Sequence, residues 1–139
     1  MKLDYGSGYN PVKGFKSSDF VSGNYDYFIK DCRVDCEDET FTAIHCKNVV
    51  HHIPDLDKLF REFNRILKPK GKVLVCDCRK EAYFVNRVYD TIWYRFVNKR
   101  YDIKTYGHRD FAAIGRKYLR CVGTGKDGIR EFALFVKRG

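Results

Sequence analysis

Apolar and polar positions along this chain alternate between a period of two and a period of 3.6, so short strands and amphipathic helices follow one another. Lys2 to Tyr5 reads as a short strand running into Gly6-Ser7-Gly8, where glycine lets the backbone turn sharply. No good helix follows, because Pro11 and Gly14 interrupt the stretch, and Gly14 to Phe20 reads as a loop entering a second short strand. Ser22-Gly23-Asn24 predicts a turn, and Tyr25 to Ile29 an aromatic strand that ends at Asp31-Cys32. Asp35 to Glu39 is acidic and reads as a loop. Phe41 to Cys46 then predicts a buried strand.

Pro54-Asp55 opens a helix with Asp55 as its N-cap. Leu56, Leu59, Phe60, Phe63, Ile66 and Leu67 recur at helical spacing as one apolar stripe, which Pro69-Lys70-Gly71 stops. Val73 to Cys76 is nearly all apolar, as a central parallel strand is. Glu81 to Val97 predicts a long helix with Phe84, Val88, Ile92 and Phe96 inward, Tyr101 to Gly107 a loop, and Arg109 to Lys117 a further helix. Tyr118 to Val122 and Ile129 to Val136 read as strands joined by Gly123 to Gly128, an antiparallel hairpin. The whole predicts one α/β domain over residues 1–139, its sheet mostly parallel with an antiparallel C-terminal hairpin strand.

Composition narrows the class. With 139 residues and 44% hydrophobic content the chain is long enough for one real core. No apolar run is long enough to span a bilayer and no signal-peptide pattern opens the chain, so a cytoplasmic protein with no membrane partner is expected. The six cysteines form no secreted-type framework, and Cys76 and Cys78 alternate within a predicted buried strand as small hydrophobes. Cys32, Cys36, His45 and Cys46 make a poor zinc set, because adjacent strand residues point to opposite faces; no metal is expected.

The formal charge of +9 is uneven. Residues 1–79 hold 13 Lys/Arg against 12 Asp/Glu, whereas residues 80–139 hold 14 against 6. The excess of +8 on the second half fits either a solvated basic surface or RNA or another polyanion as partner. Lys99, Arg100, Lys104, Arg109, Arg116, Lys117, Arg120 and Lys126 supply that charge. Trp93, Tyr94, Tyr101 and Tyr106 are placed either to stack on bases or to pack in the core and form a lid over a small substrate.

Four blocks in order resemble the class I S-adenosylmethionine-dependent methyltransferases. They are the glycine turn Leu3–Gly8, Asp31-Cys32 after the third strand, Asp38–Ile44 running into Asn48–Asp55, and Leu59–Val75. The resemblance covers Leu3 to about Cys78, and the last two blocks are the specific ones. It implies a Rossmann-like methyltransferase sheet, S-adenosyl-L-methionine as cofactor and methyl transfer as the activity. It also implies the contacts. Gly6, Ser7 and Gly8 match the turn under the methionine and ribose portions, with Asp4 beneath the sulfonium-bearing tail. Asp19 matches the acid that takes the ribose hydroxyls. Asp31 matches the carboxylate facing the adenine amino group, with the Cys32 N–H beside it. Lys47 and Asn48 match the segment lining the methionine end.

Two departures from the family stand out. Asn10–Gly14 replaces the helix that normally follows the glycine turn, and the chain starts almost at its first strand. An open donor side is therefore expected, covered by a second copy or a partner chain, or else binding the donor poorly. Methyl transfer needs alignment first and a base only if the acceptor must lose a proton early. His51 and His52 are the nearest bases; the simpler reading makes them part of the turn before the helix, one packed and one exposed. Methylation of RNA or another polyanion, methylation of a small molecule, and a non-catalytic subunit with this fold all follow from these residues.

Overall fold

In the computed structural model, which describes residues 1–8, 11–21, 23–78, 110–128 and 130–139, eight strands form one sheet in the order β4-β3-β2-β1-β5-β6-β8-β7. The strands are β1 (Lys2–Tyr5), β2 (Lys16–Asp19), β3 (Tyr27–Lys30), β4 (Arg33–Val34), β5 (Phe41–Lys47), β6 (Leu67–Cys78), β7 (Arg120–Asp127) and β8 (Arg130–Val136). β3, β2, β1, β5 and β6 run parallel, whereas β4, β7 and β8 pair antiparallel with their neighbours. The parallel sheet with an antiparallel C-terminal hairpin is thus as the periodicity predicts.

Helix α1 (Leu56–Ile66) forms where its stripe demands. Asp55 caps it by accepting the Lys58 N–H at 3.1 Å, and Leu56, Leu59, Phe60, Phe63 and Ile66 are all buried. The helix ends one turn before the expected stop. Leu67 is already extended and pairs with Phe41, because Pro69 cannot donate within a helix and biases the chain ahead of it towards extension. The freed carbonyls of Arg65 and Ile66 accept the N–H groups of Glu39 and Thr40 at 2.9 Å each. The register then jumps between Phe41 and Ala43, so β6 is longer than its apolar run and carries an irregularity at its start.

The core lies between the sheet and α1. Leu3, Tyr5, Ile44, Cys46, Val73, Val75, Ala133 and Phe135 project to that side and are buried. Tyr5 meets Phe63 edge to face at 5.1 Å, and Phe60 meets Phe135 at 5.2 Å. Each such side chain contributes roughly 1.5–3 kcal/mol through burial. Helix α2 (Phe111–Gly115) packs on the same side, its Gly115 set against the rings of Phe135 and Phe60. On the opposite sheet face, His45, Leu74, Cys76 and Leu134 are only half-buried.

Three local differences from the expectation have simple causes. The Asp31-Cys32 corner continues into the two-residue strand β4, because Arg33 and Val34 turn back along β3 just ahead of the acidic stretch Asp35 to Glu39. The third strand starts at Tyr27, since Asp26 is used in a bond to Ser17 at 2.9 Å. The hairpin is tighter, with β7 reaching Asp127, because the Gly123–Gly125 stretch pairs along β8 instead of looping out. Helix α2 covers only part of Arg109–Lys117. The expected long helix Glu81–Val97, the loop Tyr101–Gly107, and Lys99, Arg100, Lys104, Arg109 and the four stacking aromatics lie outside the described residues.

Candidate functional site

Parallel strands present their C-terminal ends to one edge of the sheet, where ligands of open α/β sheets sit. The expected site residues come together there. Gly6 and Gly8 adopt φ values of +73° and +61°, which favour glycine. A Cβ on Gly6 would lie 2.5 Å from Val49 Cγ2, so the turn is pressed against the segment after β5. Among the described residues none would lie within 4 Å of a Cβ on Gly8, which leaves space above the turn.

Ser7 binds the turn to β2. Its main-chain N–H donates to the Ser18 carbonyl at 2.7 Å, and its hydroxyl donates to the Asp4 carbonyl at 2.9 Å while accepting the Ser18 N–H at 3.0 Å. The Ser18 hydroxyl donates to that same Asp4 carbonyl at 2.8 Å. Asp4 itself is buried, its carboxylate accepting the Val12 N–H at 2.8 Å and lying 3.2 Å from His45 Nδ1. Asp4 therefore holds the segment after the turn. Asp19, also buried, accepts the Gly8 N–H at 2.8 Å on one oxygen and the Phe20 N–H at 2.7 Å on the other.

Asp31 and Cys32 occupy a corner with φ values of +52° and +67°. The Asp31 side chain is 74% exposed and forms an ion pair with Lys58 on the first turn of α1, a hydrogen bond that raises the lysine's pKa. Cys32 is buried, and that burial pushes its thiol up to about 11. Its carbonyl accepts the hydroxyl of Tyr5 at 2.9 Å, whose own ionisation burial drives well above the usual range.

Lys47 ends β5 in register with Cys76, and Asn48 turns the chain with φ +58°. The Asn48 N–H donates to the Cys76 carbonyl at 2.8 Å. Its side-chain oxygen accepts Arg130 Nη1 at 2.6 Å, across from the start of β8. Burial raises the Cys76 thiol's pKa, while Arg130 and Lys47 oppose that rise. Two cations therefore flank one thiol at the strand ends.

A 3-10 turn, Val50–His52, follows directly. His51 is buried, with Nδ1 2.9 Å from Asp77 Oδ1 and its main-chain N–H donating to Asp77 Oδ2 at 3.0 Å. The His51 and His52 rings pack at 4.0 Å, tilted by 44°, and His52 is half-buried. Of the expected packed and exposed histidines, His51 is the packed one, whereas His52 is half-buried against its ring and not exposed.

Lys58, Ser18, Asp77 and Arg130 were not foreseen as members of this edge. Asp77 carried a signal of the kind that singled out Asp4 and Asp19, a carboxylate at a strand's C-terminal end. Arg130 carried none, being 82 positions from Asn48. Elsewhere, a groove of about 590 Å³ lined by Met1, Tyr27, Arg33 and Cys36 opens at the opposite ends of the strands, away from this site. Among the described residues no group of three or more His, Cys, Asp or Glu gathers as a metal site, and no helix is long and apolar enough to cross a membrane.

Comparison with known proteins agrees with this architecture. Residues 13–75 match the family described as "Methyltransferase domain". Phosphoethanolamine N-methyltransferase 1 of Triticum aestivum is 34% identical over 96 residues, covering 62% of this chain and 18% of the relative. The chain spans less than a fifth of the length of the first curated relatives it matches. A crystal structure from Pyrococcus horikoshii superposes with a TM-score of 0.75 at 14% identity, over 99% of this chain and 82% of the other. Phosphoethanolamine N-methyltransferase 2 of Haemonchus contortus, solved with S-adenosyl-L-methionine, gives 0.67 at 16%, over 99% and 48%. The sheet order with its antiparallel C-terminal hairpin, and the matched segment within it, give this chain the Rossmann-like fold of the class I S-adenosylmethionine-dependent methyltransferases.

Proposed function

We propose that the chain transfers a methyl group from S-adenosyl-L-methionine to a small-molecule acceptor, an amine that carries an anionic group. The observation behind the acceptor class is the pair Lys47 and Arg130 beside Cys76, next to Asn48 and one residue from the Val49 that touches the glycine turn. Two cations at that edge attract a phosphate or carboxylate on the acceptor. The names of the curated relatives support a small amine in preference to RNA.

The residues present fit the donor. The space above Gly8 admits it, the exposed Asp31 carboxylate is free to turn to an adenine amino group in exchange for Lys58, and each Asp19 oxygen keeps a second lone pair for ribose hydroxyls. Lys47 and Asn48 border the methionine end, Ser7 fixes the turn, Cys32 shapes the adenine corner, and Asp4 holds Val12 in the segment after the turn. Bound there, the donor supplies an activated methyl group whose displacement depends on alignment. An ammonium acceptor must shed a proton before it attacks, and His51 and His52 are the bases at this edge.

Transfer of labelled methyl to phosphoethanolamine, ethanolamine and an RNA pool tests the reading. The expected result is methylation of phosphoethanolamine at a lower KM than ethanolamine, with the preference erased in Arg130→Gln. Labelling of RNA alone overturns it. That second reading, a polyanionic acceptor, rests on the +8 of residues 80–139 and requires binding that weakens steeply with salt. A second copy or a partner chain over the donor side belongs with either reading, because residues 11–15 between β1 and β2 form no helix. Light scattering with and without donor tests that cover.

A further inference from the structure

Asp77 stands where the packing pattern of β6 calls for an apolar side chain. Val73 and Val75, on the same side of the strand, are completely buried beneath α1, and Asp77 continues their row at 3% exposure. A buried carboxylate paired to a buried histidine is poor evidence for a stability device, since apolar replacements of such pairs are often neutral or stabilising. What the pair does here is geometric. The Asp77 carboxylate takes both the main-chain N–H and the ring Nδ1 of His51, at 3.0 and 2.9 Å. One residue earlier, the Cys76 carbonyl takes the Asn48 N–H at 2.8 Å. Two consecutive residues of β6 thereby fasten the segment 48–51 to the end of the sheet.

We propose that Asp77 is a positioning residue for the acceptor side of the site, acting through His51. With Nδ1 donating to the carboxylate, His51 is held as the Nδ1–H tautomer, and Nε2 is the ring atom that takes a proton. The ring packs against the tilted ring of His52 at 4.0 Å, so its position constrains the half-buried histidine. The same fastening sets Val49 against Gly6, which couples the acceptor side to the donor turn. The inference rests on the methyl-transfer reading above, but its structural part stands on the pair alone.

Two variants and two readouts test it. Asp77→Asn keeps the shape and, with its amide oxygen in place of Oδ2 accepting the main-chain N–H, presents an NH2 donor to Nδ1 in place of Oδ1, while Asp77→Leu removes the buried charge at similar volume. Long-range imidazole 15N spectra of the wild type are expected to show His51 as Nδ1–H, and of Asp77→Asn a switch to Nε2–H. With phosphoethanolamine as acceptor, kcat is expected to fall at least tenfold in both variants. Affinity for S-adenosylhomocysteine should stay within threefold, and Asp77→Leu should remain folded. Wild-type kcat in either folded variant overturns the proposal, as does an Nε2–H tautomer in the wild type. If the wild type methylates no amine, the acceptor reading fails by itself. The spectra then decide: the tautomer switch supports the positioning role, and identical spectra overturn it.

Discussion

The main-chain N–H of Gly8 donates to the carboxylate of Asp19 at 2.8 Å, which makes the glycine turn and the strand-end carboxylate of β2 one unit. Removing the carboxylate strands the N–H groups of Gly8 and Phe20 together. Asp19→Ala should lower stability by about 1–3 kcal/mol, the usual loss for an unsatisfied buried donor. Donor affinity should fall further than in Asp19→Asn, which still accepts. Urea unfolding and titration with S-adenosylhomocysteine check the two effects separately; equal donor affinity in both variants would sink the assignment.

Gly6 is constrained twice, by its φ of +73° and by Val49. Gly6→Ala is expected to destabilise by about 1–3 kcal/mol through backbone strain and the clash. Combining it with Val49→Ala removes the clash and leaves the strain, so the double variant should recover part of the loss. A double-mutant cycle on thermal unfolding measures that recovery, and strict additivity would mean the two residues do not meet.

Lys58 competes for the carboxylate expected to face adenine. Both partners are substantially exposed, so the ion pair adds little to stability and is screened by salt. Lys58→Ala should leave the unfolding midpoint nearly unchanged while tightening donor binding at low ionic strength. The gain should shrink as salt rises. Tighter binding that ignores salt, or weaker binding at every salt, would contradict competition.

Alkaline sensitivity follows from the buried thiols. Cys32 is raised from 9.0 to about 11, first by burial, so between those pH values the unfolded chain loses a proton that the folded chain keeps. Stability from this group is full below pH 9 and is lost as pH rises through about 11. Cys46, Cys36 and Cys76 are shifted in the same direction. Unfolding free energy should therefore decline above pH 9, and Cys32→Ala should flatten part of the slope. A slope unchanged by that substitution would assign the loss to other groups.

The glycine turn, the capped helix Leu56–Ile66, the strand Phe41–Lys47 and the C-terminal hairpin were all legible in the chain, because each is specified by residues close together in sequence. Asp55 caps its helix from three positions away, and Gly6 and Gly8 need only their own backbone angles. Those local signals, in their order, also determined the family resemblance and with it the α/β sheet. The early end of α1 was less legible, since Leu67 suits a helical stripe and a strand equally and its pairing with Phe41 decided the matter. Tertiary structure alone decided which groups face one another. Lys58 reaches Asp31 across 27 positions, His51 reaches Asp77 across 26, and Arg130 reaches Asn48 across 82. Such pairs depend on which strands are neighbours and in what register, and a shift of one residue would turn each side chain to the other face. Local periodicity fixes neither the strand order nor the register; the packing of the whole core does.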